Sequence, residues 1–355
     1  MSKHEHTIGI IGCGGFIGSH LLEGLIAHGG YRIVGIDRSV RKIDHLLNHP
    51  RVSIITADIN TFDGLETWID RCDAVISLAA LCNPSLYNTV PLTVIESNFT
   101  FPARIVDCCA GKRRRLIHFS TSEVYGKTLQ GLCGSDREEH HLLREDESPL
   151  ILGPVTAQRW SYASAKQLLE RLIIGYGLER GLEFSIVRPF NFIGPRMDYL
   201  PGIDGEGIPR VVACFMKALL CREPLQLVDG GLNRRCFTAV ADAVDAIIRM
   251  VERPRESAGL IFNIGNPANE ISMHDLAVLM RNIYIRMTGR IDTDYPLVSV
   301  PAETFYGKGY EDSDRRVPDI SRARSILGWE PTIGLDQALQ TAMESYLDHY
   351  RRLAA

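Results

Sequence analysis

The chain has 355 residues and is 45% hydrophobic, which is long and apolar enough for one large domain or two ordinary ones. Its 39 basic and 43 acidic side chains give a net charge of −4, which excludes nucleic acid and membrane surfaces as electrostatically favoured partners. Nine cysteines without a CxxC pair, no signal-type N-terminus and no apolar run of about 18 residues predict a cytoplasmic protein with free thiols and no membrane span.

Apolar runs of strand length recur through the first half of the chain and alternate with stretches of helical spacing. The main helices are predicted at about 90–112 and 161–180. The strands are predicted at 7–11, 31–36, 52–57, 74–80, 115–120 and 182–188. This alternation predicts an α/β fold built on a doubly wound parallel Rossmann sheet.

The alternation of strands and helices ends after residue 188, and glycine and proline are frequent in 194–209. We expect residues 1–190 to form an NAD-binding domain that receives a return near 225–265, with 260–264 as its added strand. Residues 191–355 are predicted to form mainly a smaller, interleaved substrate-binding domain. Two long loops, 127–158 and 298–320, are expected to serve as lids or binding loops.

A glycine turn follows the first strand and precedes a helix, with Gly12, Gly15 and Gly18 in a GxxGxxG pattern. Such glycines allow the backbone to approach a pyrophosphate at the positive end of the helix. Asp37 ends the second strand about 20 residues on, where an acid bonds the adenosine ribose, so NAD is favoured over NADP. The nearby Arg38 and Arg41 keep NADP as an alternative.

The ends of the next strands complete the predicted NAD site. Asp58 is expected to reach the adenine amine, with a capping or loop carboxylate as the alternative. The remaining predicted cofactor contacts are Phe16, Ile17, Ile59, Leu78, Ala80, Tyr162 and Lys166. We expect no metal.

Tyr162 and Lys166 are four residues apart, so they share one face of the predicted helix. A lysine ammonium beside a phenol is expected to lower the phenol's pKa, and the phenolate then takes a hydroxyl proton during hydride transfer. A chance occurrence of this spacing is the alternative. The glycine turn, Asp37 and a strand-end serine/threonine cluster make that alternative weak.

This order of motifs resembles the extended short-chain dehydrogenase/reductases that act on nucleotide sugars, which implies Thr121, Tyr162 and Lys166 as the catalytic triad. From about residue 7 to 345 the chain is similar to the UDP-apiose/UDP-xylose synthase family. The blocks that carry this similarity are 78–84, 120–126, 158–162, 188–198, 201–205, 227–231, 262–267 and 305–319. UDP-glucuronate decarboxylases share many of these blocks, and both families act on UDP-glucuronate.

The resemblance implies oxidation at carbon 4 of the sugar, loss of carbon dioxide and reprotonation at carbon 5. Glu123 is the candidate acid, with Ser122 orienting the carboxyl group or a water. Arg159 precedes Tyr162 by three residues and is expected to hold the substrate acid. The other predicted substrate contacts are Asn191, Arg235, Tyr310 and Arg316. A solvent-facing carboxylate and surface arginines are the alternatives.

Ring contraction to apiose requires proton transfers that a thiol near the sugar can perform, and Cys82 follows the fourth strand. A small buried thiol is the alternative. Plant synthases carry a second cysteine at the position of Ser122, whereas the decarboxylases have serine there, as this chain does. Decarboxylation without ring contraction is therefore the second hypothesis. An NAD-binding sensor is the third. The resemblance also implies a homodimer formed by the two long helices.

Overall fold

The computed structural model describes residues 6–134, 137, 140–290, 294–306 and 311–354. Most strands are short, and the longest belong to the first half of the chain. They are β1 His6–Ile11, β2 Tyr31–Asp37, β3 Val52–Thr56, β4 Ala74–Ser77, β5 Arg115–Phe119, β6 Leu142–Leu143, β7 Phe184–Pro189, β8 Phe192–Ile193, β9 Leu225–Val228, β10 Arg234–Cys236, β11 Thr238–Ala239, β12 Leu260–Ile264, β13 Glu270–Ser272, β14 Leu297–Val300 and β15 Arg315–Pro318.

The helices alternate with the strands of the first half and dominate the second. They are α1 Phe16–His28, α2 Leu65–Asp70, α3 Pro91–Ile95, α4 Phe101–Lys112, α5 Leu129–Cys133, α6 Ser161–Arg180, α7 Val211–Cys221, α8 Val240–Glu252, α9 Met273–Thr288, α10 Ala302–Tyr306 and α11 Leu335–Ala354. The helix predicted at 90–112 is α3 and α4 joined by a π-helical turn over Glu96–Thr100. Within the described ranges, no helix is long and apolar enough to cross a membrane.

Seven parallel strands form the central sheet in the order β3-β2-β1-β4-β5-β7-β12. The strand order reverses between β1 and β4, because β2 and β3 extend the sheet on one side while β5, β7 and β12 extend it on the other. β1 and β4 pair in parallel, with Ile11 beside Ser77. Ligands of open α/β sheets bind outside the carboxyl ends of the strands at such a switch point. The predicted doubly wound parallel sheet is confirmed, and β12 supplies the returning strand.

Helices cover both faces of this sheet because both faces of its strands are apolar. One face packs under α1 and α8, with buried leucines such as Leu22 and Leu25 and with Ile247. The other packs under α4 and α6, with Val106 and Leu169 fully buried. The two hydrophobic layers hold the carboxyl edge of the sheet rigid beneath the site.

A second sheet, β13-β10-β15-β6, gathers short strands from distant parts of the chain. The prediction that 127–158 and 298–320 are long loops was wrong in part, since β6 lies in the first segment and β15 in the second, and the two strands pair in parallel. Strands of two to four residues carry too little periodicity to be recognised. β9 pairs with β14 rather than with the central sheet, so the return at 225–265 is limited to β12. The domain boundaries stay a prediction.

Candidate active site

The glycine turn between β1 and α1 is shaped by close backbone contacts. Gly12 has a φ of +91°, and a Cβ there would lie 2.9 Å from the backbone nitrogen of Ala79. A Cβ on Gly18 would lie 2.1 Å from the Gly12 carbonyl oxygen. Only glycine fits these two positions without displacing backbone, so the turn is built for close approach of another group.

Gly14 belongs to the same turn and was missed by sequence reasoning. A Cβ on Gly14 would lie 1.8 Å from the Ser39 carbonyl oxygen. Its amide donates to Asp37 Oδ2 at 2.9 Å, while the Ser39 amide donates to Oδ1 at 3.0 Å. The turn and the end of β2 are therefore locked together through one carboxylate. The available signal was its position in the sequence, directly before Gly15 and within the glycine-rich stretch 12–15.

A cavity of about 450 Å³ opens above this turn at the switch point and is called here the glycine-turn cavity. Most of the predicted cofactor residues line it: Gly12, Gly15, Phe16, Ile17, Gly18, Asp37, Ile59, Leu78 and Ala80. Asp58, Tyr162 and Lys166 do not line it, so their contacts with NAD stay predictions, and Asp58 Oδ1 accepts instead from the Asn60 amide at 2.9 Å. The cradle, the acid at the end of β2 and the space fit an NAD molecule.

Arg210 closes the opposite wall of the glycine-turn cavity, and sequence reasoning missed it. It precedes α7 and binds Asp198 through Nε and Nη2, each at 2.9 Å. Its guanidinium also stands over the Phe16 ring at 5.4 Å. Burial raises the pKa of Asp198, but the charge and hydrogen bonds of Arg210, together with the charge of Lys42, hold it below its usual value. A fixed cation thus faces the glycine turn, where a pyrophosphate is expected.

Tyr162 and Lys166 lie one turn apart on α6, and both are buried. Lys166 Nζ donates to the Phe119 carbonyl at 2.9 Å. Thr121 caps a one-turn 3₁₀ helix over Ser122–Tyr125, and its side chain acts on the pKa of Tyr162. The three predicted triad residues are therefore brought together at the carboxyl end of β5.

The electrostatics of this triad differ from the expected lowering of the phenol's pKa. Burial raises the pKa of Tyr162 well above its usual range, the nearby Cys82 and Glu123 add to the rise, and the Thr121 side chain opposes it. Burial also lowers the pKa of Lys166 to about 8. Desolvation thus dominates, because it penalises the ionised form of both groups.

Tyr87 packs directly on Tyr162 and was also missed by sequence reasoning. Its ring is stacked on Tyr162 with centroids 5.0 Å apart and an angle of 12°. The Arg159 guanidinium lies 5.4 Å from the Tyr87 centroid. No local pattern distinguishes Tyr87 from an ordinary core tyrosine.

Cys82, five residues before Tyr87, is exposed toward the site, yet burial by the surrounding protein raises the pKa of its thiol.

Glu123 accepts a hydrogen bond from Arg159 Nη1 at 2.9 Å, and Arg159 Nη2 lies 3.6 Å from Asp312 Oδ1. Arg159 is only 2% exposed. Among the described residues, no hydrogen bond joins Ser122 to the Glu123 carboxylate, so Arg159 orients that carboxylate instead. A contact between Arg159 and a substrate carboxylate stays a prediction and would be made beside these two acids.

Arg235 and Arg316 face each other across the parallel pair β10 and β15. Each donates from Nη2 to Asp312, at 2.7 Å, one to each carboxylate oxygen. Burial raises the pKa of Asp312, but the surrounding guanidinium groups hold it well below its usual range. The Nε of Arg316 is buried and has no hydrogen-bond partner within the described part of the chain.

A second cavity of about 210 Å³ adjoins the first and is called here the arginine cavity. The predicted residues that line it are Cys82, Glu123, Arg159, Asn191, Arg235 and Arg316. Asn191 Nδ2 donates to the Cys236 carbonyl at 3.2 Å, which fixes its side chain. Tyr310 lies outside the described residues. Cys82 and Arg210 line both cavities, so a dinucleotide and a second anionic ligand would meet there.

Known proteins share this architecture. A model described as the NAD dependent epimerase/dehydratase family matches residues 8–265. The UDP-D-apiose/UDP-D-xylose synthase of Oryza sativa subsp. japonica is 48% identical over 350 residues, which span 95% of this chain and 88% of that protein. This relationship confirms the resemblance recognised in the sequence.

Two solved structures superimpose on the whole chain. The PbgP3 protein from Burkholderia pseudomallei is 32% identical, with a TM-score of 0.85 over 99% of this chain and 98% of its own. The UDP-glucuronic acid 4-epimerase from Bacillus cereus, in complex with UDP-glucuronic acid and NAD, is 23% identical, with a TM-score of 0.79 over 97% and 100%. The second likeness concerns the fold alone.

Proposed function

Because the chain belongs to the NAD dependent epimerase/dehydratase family, we propose that it oxidises and decarboxylates UDP-glucuronate through a UDP-4-keto-pentose. Ring contraction and reduction then yield UDP-apiose alongside UDP-xylose. One observation carries this proposal: Cys82 and Glu123 face buried arginines in a cavity that adjoins the cofactor cradle.

NAD supplies the hydride acceptor and, after decarboxylation, the hydride donor. The residues of the glycine-turn cavity would hold it, with Asp37 on the adenosine ribose and Arg210 facing the pyrophosphate. Tyr162 takes the proton of the carbon-4 hydroxyl, supported by Thr121 and Lys166. Tyr162 can take that proton only as a phenolate, and because burial raises its pKa, the phenol must first lose its own proton to solvent.

Oxidation at carbon 4 gives a β-keto acid, whose carboxylate leaves as carbon dioxide while the adjacent ketone takes the electron pair as an enolate. Glu123 is placed to return a proton to carbon 5, since its carboxylate lines the arginine cavity and Arg159 fixes its direction. Without such an acid the enolate would persist.

The anionic end of the substrate is assigned to the arginines of the same cavity. The two carboxylates of the cavity are outnumbered, among the described residues, by four guanidinium groups: those of Arg159, Arg210, Arg235 and Arg316. A guanidinium fork suits a phosphate or carboxylate. The unpartnered Nε of Arg316 supports this assignment, because buried donors normally find an acceptor.

Cys82 is assigned to the proton transfers that open and re-close the carbon skeleton between carbons 2 and 3 of the sugar. Its thiol opens onto both cavities, and its raised pKa favours the protonated form that can donate. Ser122 favours the alternative, decarboxylation without ring contraction, because plant synthases carry a cysteine at that position.

Two broader features belong to this proposal. A homodimer is supported by exposed apolar side chains on α3 and α6, including Leu92 and Leu168. A cytoplasmic, reducing location is supported by the nine free cysteines.

Product analysis tests the function. The protein is incubated with NAD and UDP-glucuronate labelled with ¹³C at carbon 6, and products are followed by NMR. We expect labelled carbon dioxide with both UDP-pentoses, and no oxidation by Tyr162→Phe. Carbon dioxide without a branched sugar would select the alternative. No carbon dioxide and no NADH absorbance would leave an NAD-binding sensor, and normal turnover by Tyr162→Phe would remove that residue from the mechanism.

A further inference from the structure

A buried ion pair lies beneath the catalytic residues and takes no part in the chemistry assigned above. Glu170 on α6 accepts from Arg188 on β7 at 3.0 Å (Nε) and 2.6 Å (Nη2). Their side chains are 4% and 3% exposed. A fully buried ion pair adds little to the stability of the fold, because the cost of desolvating both charges offsets their attraction. A role other than stabilising the fold is therefore sought for this pair.

The first effect of this pair is on the charge of Lys166. Glu170 follows Lys166 by one helical turn, so the two side chains lie on the same buried face of α6. Burial lowers the pKa of Lys166 to about 8, while the charge of Glu170 opposes that fall. Cys82 after β4 also raises the pKa of Lys166, and Lys166 lowers that of His118 on β5. Tyr162 precedes Lys166 by one turn of α6.

The second effect of this pair is on the turn that carries the acid. The Arg188 guanidinium lies 4.7 Å from the centroid of Tyr125, which ends the 3₁₀ turn containing Glu123. The Tyr125 hydroxyl donates to Asn263 Oδ1 at 2.8 Å, and Arg188 Nη1 donates to the Glu145 carbonyl at 3.0 Å. Arg188 therefore contacts α6, the turn itself and the segment of Glu145.

A neighbouring bond closes the link between helix and turn. Gln167, next to Lys166, donates from Nε2 to the Val124 carbonyl at 2.6 Å. The helix of Tyr162 and Lys166 and the turn of Thr121 and Glu123 are thus held together on one side by this bond. On the other side they are held by the Glu170–Arg188 pair and the Tyr125 ring.

We infer that Glu170 and Arg188 are positioning residues that balance the charge beside Lys166 and fix the catalytic helix against the turn of Glu123. The inference rests on the proposed function for its reaction, but not for the ionisation of Lys166. Neither residue touches a reacting atom. The pair acts through Lys166 and through Tyr125.

The sign of the effect follows from the charges. In Glu170→Gln the Arg188 cation stays buried without its partner, and it disfavours the protonated form of Lys166. Lys166 then loses its proton at a lower pH, so the alkaline limb of kcat shifts downward by about one pH unit. The double variant Glu170→Gln/Arg188→Met removes both charges and is expected to return the limb to within about 0.3 pH unit of the parent.

The experiment measures two quantities in each variant. One is the pH profile of carbon dioxide release. The other is the titration of Lys166 by ¹⁵N NMR of the lysine Nζ groups, which is practicable because the chain has seven lysines. Arg180→Gln is the matched control. Arg180 lies on α6, like Glu170, but its ion pair with Asp107 of α4, at 3.2 Å, is exposed. This variant should move neither quantity.

A downward shift in Glu170→Gln that the double variant reverses supports the inference. An unmoved Lys166 titration in folded Glu170→Gln, or a double variant as shifted as the single one, overturns it. If Glu170→Gln does not fold, the double variant still decides, because a Lys166 titration moved by more than about 0.3 pH unit from the parent contradicts charge balance. Absence of carbon dioxide release from the parent defeats the proposed function alone, since the NMR titration needs no turnover.

Discussion

Asp312 orients two of the four arginines that line the arginine cavity, through its 2.7 Å contacts with Arg235 and Arg316. The sequence indicated both arginines because each stands in a recognisable block. Nothing local marks Asp312 as their shared partner, since the register of β10 against β15 brings the groups together. Tyr87 escaped detection for the same reason: its stacking on Tyr162 is a contact in space with no spacing rule.

Removal of one thiol should separate decarboxylation from ring contraction. Cys82→Ala is expected to keep releasing carbon dioxide while UDP-apiose falls at least tenfold relative to UDP-xylose, because its thiol is assigned only to carbons 2 and 3. NMR of the products at equal conversion measures the ratio. Cys221→Ala is the control, since Cys221 is an exposed thiol at the end of α7 that lines neither cavity. A branched sugar at the parental ratio from Cys82→Ala would rule the assignment out.

At the scale of elements, the long apolar strands and the helix of Tyr162 were predictable because their periodicity extends over several residues. The two-residue β6 was not, and neither was the break of the helix at Glu96–Thr100. The glycine turn was predictable as a motif. Its tightest contact, between Gly14 and Ser39, depends on how β2 ends beside it.

This contact predicts a strong effect of one methyl group. Gly14→Ala would place its Cβ 1.8 Å from the Ser39 carbonyl oxygen, a backbone atom that cannot move aside cheaply. We expect the free energy of unfolding to fall by about 1–3 kcal/mol, with weaker NAD binding because the turn and Asp37 are displaced. Urea unfolding and calorimetric titration with NAD measure the two effects.

Gly111→Ala is the matched control for that variant. It lies near the end of α4, and its added Cβ would meet nothing within 4 Å. Alanine is the better helix former, so stability should rise by about 0.5 kcal/mol with unchanged NAD binding. Equal stability and affinity in Gly14→Ala and the parent protein would show that the turn tolerates the side chain.

At the scale of the whole molecule, the two cavities come from two layers of the chain. The central sheet supplies the cofactor cradle, and the β10–β15 pair supplies two arginines of the second cavity. The chain crosses between them, since β12 returns to the central sheet while β6, from the first half, pairs with β15. Long-range pairing of short strands therefore builds the substrate side, and this is why its details could not be predicted locally.

The same scale includes the expected homodimer. Helices α3, α4 and α6 lie side by side, and Leu92, Ile95 and Leu168 on two of them are exposed by 76%, 38% and 51%. An exposed apolar patch on such a face favours a self-complementary twofold contact. Leu92→Glu/Leu168→Glu is expected to convert a dimer into a monomer, measured by sedimentation equilibrium. Leu232→Glu, which places the charge on a leucine 79% exposed outside these helices, should stay dimeric. A monomeric parent protein, or a double variant that remains dimeric, would remove this face from the assembly.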